Sequence, residues 1–275
     1  MDDSGDLHLQ RRGLFSSDVA AYDLGRPGYP DRVYELLGDV CGLSPGTEVL
    51  EIGPGTGQAT GRLLDIGATV TAVELGPEMA ARLEAKHEGR SLTVKVGPFE
   101  DVSLEPESYD LVVAATSFHW IPADVGLRRC ADLLRPDHWL ALWWTFFGDP
   151  ERADPFRDAL DPIFHELAPS LLETFPGAAF QAGPRPYALD VDDRIGEIAA
   201  TGRFGAVRYE IVSWTGRHSP AEMRAMFASF SPCLALPPAD RSAVLDAIEH
   251  LATDTFGGLV ERPYLTPIYL AQRQN

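Results

Sequence analysis

The chain has 275 residues, of which 45% are hydrophobic and 23% are charged, and its formal net charge at pH 7 is −18. This composition is typical of a soluble globular protein, and the length predicts one α/β domain with an insertion or a modest second lobe. DNA, RNA and anionic membrane surfaces are not expected partners, because binding to them depends on Lys and Arg contacts to many phosphates, whereas a net charge of −18 would repel the phosphates.

The sequence also argues against a secreted, membrane-spanning or metal-binding protein. No stretch approaches the roughly 20 apolar residues that a membrane span requires. The acidic N-terminus, residues 1–3, lacks the pattern of a signal peptide, so we expect a cytoplasmic protein. Cys41, Cys130 and Cys233 are too few and too far apart for a disulfide framework or a thiolate metal site. The histidines show no metal-ligand spacing either.

The predicted elements begin with an N-terminal arm, residues 1–40. Its first part is polar and ends in the turn-marked segment Arg26-Pro27-Gly28-Tyr29-Pro30. An amphipathic pattern then predicts a helix over 31–40.

From Thr47 onward, apolar runs alternate with amphipathic segments of helical length. This alternation predicts a doubly wound parallel sheet with helices on both faces, which we place at residues 41–149. The predicted strands of this core are 47–52, 69–74, 91–96, 109–115 and 138–146, and its predicted helices are 57–66, 77–87 and 122–135.

Residues 150–203 break the alternation and are interpreted as an insertion beside the edge of the sheet. A final part, residues 204–275, returns to the sheet pattern. We expect the insertion and the last helices to roof a pocket, while core packing explains most of their aromatic residues. The predicted helices of these two parts are 155–175, 192–201, 219–230 and 238–256, and the predicted strands are 206–214 and 263–272.

The strongest motif is Val49-Leu50-Glu51-Ile52-Gly53-Pro54-Gly55-Thr56-Gly57, an apolar strand that runs into a glycine-spaced turn and then a helix. Glycines at these points allow a tight turn and let a ligand lie against bare backbone. A dinucleotide fingerprint would need its third glycine at position 58, where Gln58 stands, so NAD and FAD are disfavoured. The Gly-Lys-Ser/Thr ending of a phosphate-binding loop is missing too, which disfavours ATP and GTP.

A carboxylate, Glu74, ends the next predicted strand about twenty residues after the loop. A carboxylate at that place can accept hydrogen bonds from both hydroxyls of a ribose. An acid at a strand end is common by chance, but its distance from the glycine turn makes the pair informative. The turn and Glu74 together indicate a ligand that contains a ribose.

The segment from about Thr47 to Phe146 resembles the core of class I S-adenosylmethionine-dependent methyltransferases. The resemblance implies a Rossmann-like sheet of seven mostly parallel strands with a reversed last strand, and S-adenosyl-L-methionine as the cofactor. Within the family, the segments 26–30 and 117–120 resemble small-molecule methyltransferases of the trans-aconitate type. The family's successive motifs match this sequence at 51–57, 74, 97–101, 108–113 and 133–136.

The resemblance also implies which residues contact the cofactor. The glycines would lie under its methionine and ribose portions, Glu51 would support its amino group, and Glu74 would hold the ribose. Phe99 and Glu100 would contact the adenine. The polar, turn-marked arm is predicted on its own grounds to close over the cofactor, with Arg26 pairing with its carboxylate; alternatively, Tyr22, Arg26 and Tyr29 only pack against the helix 31–40. The residues placed against the cofactor are Tyr22, Arg26, Tyr29, Glu51, Gly53, Gly55, Gly57, Glu74, Leu75, Phe99, Glu100, Thr116 and Ser117.

The acceptor side is predicted just beyond the fourth strand of the core, because an open parallel sheet binds ligands beyond the ends of its strands. His119 and Trp120 are the candidate substrate-binding residues there. His119 is interpreted either as a general base or as a side chain that only lines the pocket. Trp120 is interpreted either as a packed wall or as a stacking platform.

These expectations describe an enzyme that transfers a methyl group from S-adenosylmethionine to a small molecule by in-line displacement, with the arm 1–40 covering the cofactor. Two alternatives stay open, because fold does not fix function. In the first, the protein uses the bound cofactor for a reaction other than methylation, such as a cyclisation. In the second, the protein binds ligands without catalysis.

Overall fold

Within residues 19–174 and 186–275, which the computed structural model describes, seven strands form one sheet. They are β1 (Glu48–Ile52), β2 (Thr69–Glu74), β3 (Leu92–Val96), β4 (Tyr109–Ala115), β5 (Leu134–Trp143), β6 (Arg208–His218) and β7 (Val260–Gln272). Their order in the sheet is β3-β2-β1-β4-β5-β7-β6. The first five strands are parallel, whereas β7 runs antiparallel between β5 and β6. The predicted Rossmann-like sheet with a reversed last strand is confirmed.

Helices cover both faces of this sheet. They are α1 (Val19–Gly25), α2 (Asp31–Cys41), α3 (Thr60–Ile66), α4 (Pro77–Lys86), α5 (Ala123–Leu133), α6 (Pro155–Leu167), α7 (Ser170–Thr174), α8 (Val191–Ala200), α9 (Pro220–Ala228), α10 (Ser231–Leu234) and α11 (Pro238–His250). Val49 and Val113 face the core formed with α2, α3 and α4, whereas Leu50 and Val112 face the core formed with α5 and α8. Neighbouring residues of a strand point to opposite faces, so a sheet buried on both faces needs continuous apolar strands.

A third hydrophobic core joins the predicted insertion to the C-terminal part. Phe156 and Phe164 of α6 pack with Met223 and Phe227 of α9 and with Tyr264 of β7. Helix α8 packs instead on the main sheet beside α5. Core packing therefore accounts for the aromatic residues that the sequence placed in this region and that the structure describes, namely Phe156, Phe164, Phe204, Trp214, Phe227 and Phe230. Phe175 and Phe180 lie outside the described residues.

Several predicted boundaries were wrong by a few residues. The helix expected from residue 57 begins at Thr60, because Gly55 and Gly57 have positive φ angles of 59° and 95° that keep the chain in the turn. Strand β5 starts at Leu134 instead of 138, since Leu134 already pairs with Tyr109, and it ends at Trp143 instead of 146. The polar stretch 135–138 concealed this early start.

The sequence analysis also made predictions about membrane-spanning helices, cysteine thiols and metal sites. No helix among the described residues combines the length and the apolarity that crossing a membrane demands. Cys41, Cys130 and Cys233 are buried free thiols. Within the described ranges, no group of three or more side chains is arranged to hold a metal ion.

Candidate active site

A cavity of about 270 Å³ opens where β1, β2, β4 and β5 end, as expected for ligand sites of open parallel sheets. The predicted site residues Tyr22, Arg26, Tyr29, Gly53, Gly55, Glu74, Leu75, Phe99, Glu100, Thr116, Ser117, His119 and Trp120 line it. Glu51 and Gly57 do not. Wall residues that the sequence analysis did not single out include Gln58, Met79, Ile121, Thr145 and Phe147. The structure thus brings together residues that are up to 98 positions apart in the predicted set, from Tyr22 to Trp120.

The turn after β1 forms the floor of the cavity. Gly53 has φ +63°, and a Cβ at this position would lie 2.6 Å from Cβ of Ser117, which is closer than real contacts allow. A Cβ at Gly55 would lie 3.3 Å from Cε1 of Tyr22. Both positions therefore need glycine for conformation and for space, and the backbone at Gly53 and Gly55 faces the cavity.

Gly57 serves a different purpose from the one expected. A Cβ there would lie 2.7 Å from Cδ1 of Leu83 and 3.0 Å from Nε2 of His87, on the side of α4 and not of the cavity. The third glycine of the motif lets α4 pack closely against the turn. The sequence analysis placed Gly57 against the cofactor together with Gly53 and Gly55, because a sequence does not show which way each residue of a turn faces.

Glu51 lies beneath the floor and is fully buried. Its Oε2 accepts a hydrogen bond of 2.6 Å from Thr60 Oγ1, while its Oε1 has no hydrogen-bond partner. Burial raises the pKa of this carboxyl to about 7, against the bond from Thr60, which lowers it. Glu51 therefore supports the turn from below.

We expect Glu51→Gln to stabilise the ligand-free protein at pH 8 but not at pH 4.5. The folded-state pKa of Glu51 is raised from 4.5 to about 7, so the native state binds the extra proton and stability falls as pH rises between these values. Gln removes that fall, which is worth on the order of 1–3 kcal/mol. Urea unfolding at several pH values measures the difference, with Glu84→Gln on the exposed side of α4 as the matched control. An advantage of the Gln variant that is independent of pH would contradict the prediction.

Glu74 closes the cavity at the end of β2. Its Oε2 accepts a 2.9 Å hydrogen bond from the Gly55 N–H and its Oε1 a 2.9 Å bond from the Gly76 N–H. Burial raises the pKa of Glu74, and these backbone bonds act in the opposite direction. Each carboxylate oxygen keeps lone pairs for a further donor, so the group is oriented and able to accept two hydroxyls.

The opposite end of the cavity is built on an unusual backbone at Thr116, which follows β4 with φ +59°. Thr116 Oγ1 accepts a bond from the Thr145 N–H at 3.2 Å and shares a 3.0 Å bond with Tyr29 Oη. Ser117 Oγ donates to the carbonyl oxygen of Ile52, so this hydroxyl can offer a ligand only its lone pairs. A non-glycine residue at positive φ is uncommon and is found often at functional sites.

Arg26 is a partly buried cation in the wall. Its guanidinium lies 4.7 Å from the ring centroid of Phe230, 5.6 Å from that of Phe147 and 5.2 Å from that of Tyr22. Nη2 donates to the Ser229 carbonyl at 3.3 Å, and the shielded Nε has no hydrogen-bond partner. No carboxylate of the described residues forms an ion pair with it. An Arg that is held among aromatic rings, and that has no acidic partner in the described part of the chain, is arranged to receive an anion.

His119 and Trp120 lie side by side beyond β4, with ring centroids 4.9 Å apart. Nε1 of Trp144 donates to Nδ1 of His119 at 3.1 Å. The His119 ring centroid is also 6.4 Å from that of Tyr187, a residue of the predicted insertion 150–203. The sequence analysis did not single out Trp144, because it is one of several apolar residues in the predicted strand 138–146; in the structure it directly follows β5.

Comparison with known proteins agrees with this architecture. Residues 50–142 match the family described as a methyltransferase domain. An uncharacterized methyltransferase of Bacillus subtilis, YrrT, is 37% identical over 171 residues, which cover 58% of this chain and 78% of the relative. Another, Rv3342 of Mycobacterium tuberculosis, is 29% identical over 237 residues, covering 86% and 84%.

The fold has solved counterparts as well. The structure of a putative type II methyltransferase from Anaeromyxobacter dehalogenans superposes with a TM-score of 0.59 at 22% identity, covering 91% of this chain and 97% of the other. At this level of identity the structural similarity shows the fold alone, whereas the similarity to the sequence relatives shows the family. The chain belongs to the S-adenosylmethionine-dependent methyltransferases.

Proposed function

We propose that this enzyme binds S-adenosylmethionine in the cavity described above and transfers the methyl group to a small-molecule acceptor by in-line displacement. The observation that carries the proposal is the pairing of two oriented, oppositely charged groups in one cavity. Glu74 lies at one end and Arg26, which has no acidic partner among the described residues, lies in the wall. The size of the cavity and the net charge of −18 favour a small acceptor over a nucleic acid.

The residues present fit the cofactor. Glu74 would accept the ribose hydroxyls, and Phe99 with Glu100 would border the adenine, since they follow the neighbouring strand β3. Gly53 and Gly55 leave the space in which the ribose and methionine portions would lie. Arg26 would bind the carboxylate with charge-assisted hydrogen bonds.

S-adenosylmethionine supplies an already activated methyl group, so the protein has little covalent chemistry to perform. The walls of the cavity would hold donor and acceptor in line, which is worth roughly 7–11 kcal/mol of the barrier. Phe147 and Trp120 line the cavity and would reduce access of water to the reacting atoms. Tyr22 and Tyr29 remain phenols at neutral pH, because burial raises the pKa of each.

The parts of the chain receive roles that follow from this placement. The arm, residues 1–40, would cover the cofactor through Tyr22, Arg26 and Tyr29. The core 41–149 would bind it, and the insertion 150–203 would border the acceptor through Tyr187, which neighbours His119. Residues 204–275 complete the sheet and carry α9, on which α1 packs. The resemblance to the trans-aconitate type stays a prediction about the subfamily, and we do not extend aconitate to this enzyme as its acceptor.

Calorimetry and methyl-transfer assays test the proposal. We expect S-adenosylmethionine and S-adenosylhomocysteine to bind, NAD and ATP not to bind, and labelled methyl groups to appear on small molecules of a cell extract. Binding without any transfer would favour the non-catalytic alternative. Conversion of the acceptor without incorporation of label would favour a reaction other than methylation.

One ion-pair cluster ties the lid, as we call the part of the arm that contains α1 and would cover the cofactor, to the core. Asp23 of α1, whose side chain is 11% exposed, lies 2.7 Å from Arg82 Nη2 and 2.9 Å from Lys86 Nζ, both on α4. Gly25 lets α1 approach α9 closely, since a Cβ there would lie 2.2 Å from the Met226 nitrogen. Helix α1 is thus held on two sides of the cavity.

We expect Asp23→Asn to increase the dissociation rate of S-adenosylhomocysteine by about 3- to 10-fold, because partly exposed ion pairs contribute modestly. The effect should shrink at high ionic strength, which screens the parent's ion pairs. Stopped-flow fluorescence measures the rate. Asp65→Asn removes an exposed ion pair with Arg90 away from the lid and serves as the control. Equal rates in all three proteins would show that this cluster does not hold the lid.

A further inference from the structure

Gln58 stands where a dinucleotide-binding motif would have its third glycine, and it lines the cavity with an oriented carboxamide. Its Nε2 donates a 2.8 Å hydrogen bond to Thr56 Oγ1, in the turn after β1. Its Oε1 lies 3.7 Å from the point that a Cβ at Gly55 would occupy. The amide nitrogen therefore faces the turn, and the carbonyl oxygen lies next to the floor of the cavity.

The hydroxyl of Thr56 decides which way this carboxamide is turned. Thr56 is fully buried, and its hydroxyl also forms a hydrogen bond with Asp23 of α1. Although burial acts to raise the pKa of Asp23, hydrogen bonds such as those from Lys86 and Thr56 lower it below its usual range. Asp23 is thus an ionised carboxylate that can only accept, so the single hydroxyl proton of Thr56 is donated to it. Thr56 Oγ1 can offer Gln58 only a lone pair, which an amide N–H matches and a carbonyl oxygen does not.

The carbonyl oxygen of Gln58 can bind only a hydrogen-bond donor of the ligand. The amino-acid end of S-adenosylmethionine carries an ammonium group and a carboxylate on one carbon atom. Tyr22 adjoins both Gln58 and Arg26, since its Cε1 lies 3.3 Å from the same point above Gly55 and the Arg26 guanidinium lies 5.2 Å from its ring centroid. An acceptor and a cation beside one ring match the two charged groups of an amino acid.

The two carboxylates of the motif occupy other positions. Glu74 is oriented by the N–H groups of Gly55 and Gly76, and its remaining lone pairs suit the two ribose hydroxyls. Glu51, which the family resemblance placed at the amino group, lies beneath the floor and does not line the cavity. The ammonium group therefore needs an acceptor on the wall.

We propose that Gln58 binds the ammonium group of the cofactor through Oε1, and that Thr56 is a positioning residue that keeps this oxygen turned toward the ligand. The inference rests on the proposed function. Because the same Thr56 hydroxyl bonds Asp23, the orientation of the amide depends on the position of the lid. When α1 moves away, Thr56 loses the acceptor for its proton and can donate to either lone pair of a reversed amide.

The role of Gln58 is tested with S-adenosylhomocysteine and its deamino analogue, in which hydrogen replaces the amino group. Calorimetry on the parent protein should show that S-adenosylhomocysteine binds more tightly. Gln58→Leu should weaken this ligand about tenfold, as expected for a hydrogen bond to a charged group, and should not weaken the analogue. Gln272→Leu removes an amide that bonds the Asp137 carbonyl where β5 begins, and as the control it should change neither affinity.

The role of Thr56 is tested by removing or keeping its hydroxyl. Thr56→Val should lower the preference for S-adenosylhomocysteine over the deamino analogue about 3- to 10-fold, and Thr56→Ser should restore it. Adding Thr56→Val to Gln58→Leu should lower the preference no further, because both substitutions remove one interaction. A general loss of lid closure would instead weaken both ligands equally and leave the preference unchanged.

Two outcomes would reject this inference while leaving the proposed function intact. Equal weakening of both ligands by Gln58→Leu would show that Gln58 does not bind the ammonium group, and an unchanged preference in Thr56→Val would remove the positioning role of Thr56. Failure of the parent protein to bind S-adenosylhomocysteine at all would reject the proposed site itself.

Discussion

Gly55→Arg should reduce the affinity for S-adenosylhomocysteine by at least about 100-fold, because it fills a closely packed ligand site with a long side chain. Gly55 lies in the cavity floor, and a Cβ there already comes within 3.3 Å of Tyr22. The added guanidinium would extend into the space that the proposed ribose and methionine portions need. Isothermal calorimetry measures the loss.

The control for this variant must share its backbone strain. Gly89 has φ +78°, compared with +59° for Gly55, but it is exposed in a turn where a Cβ would meet no atom within 4 Å. Gly89→Arg should therefore cost similar stability through the unfavourable φ while leaving affinity unchanged. Similar affinity losses in both variants would mean that strain, and not the cavity, explains the result.

The sequence predicted those parts of the site that depend on local patterns. A strand, a glycine turn and Glu74 follow one another within 26 residues, counting from Val49 to Glu74, and β1 pairs directly with β2. Local turn chemistry and the alternation of apolar runs are enough to place such a unit. For the same reason the family resemblance, which depends on these motifs, agreed with the observed sheet.

Other features of the site depend on side-chain direction or on distant contacts, which local sequence patterns do not show. Gly57 and Glu51 belong to the motif, yet one faces α4 and the other lies under the turn, because orientation within a turn is decided by packing. Thr145 and Phe147 reach the cavity because β5 lies next to β4, an adjacency that no local pattern reveals. The bond from Trp144 to His119 likewise joins residues 25 positions apart.

Arg26→Ala should weaken S-adenosylhomocysteine binding by about 10- to 100-fold, the range for losing a hydrogen bond to a charged partner. The guanidinium lies among Tyr22, Phe147 and Phe230 with its Nε unpartnered, so the proposed carboxylate would complete its hydrogen bonding. Arg26→Lys should recover only part of the loss, because an ammonium does not reproduce bidentate geometry.

A truncated ligand separates this role from a general effect on the lid. 5′-Methylthioadenosine has the adenine and ribose but lacks the amino-acid end, so Arg26→Ala should leave its affinity nearly unchanged. Glu74→Ala should weaken both ligands by the same factor, because the ribose that it would bind is common to them. If Arg26→Ala weakened methylthioadenosine as much as S-adenosylhomocysteine, Arg26 would act by packing the arm against Phe147 and Phe230, and the carboxylate would have to bind elsewhere in the cavity. The ratio of the two losses therefore locates the methionine end of the cofactor without a bound structure.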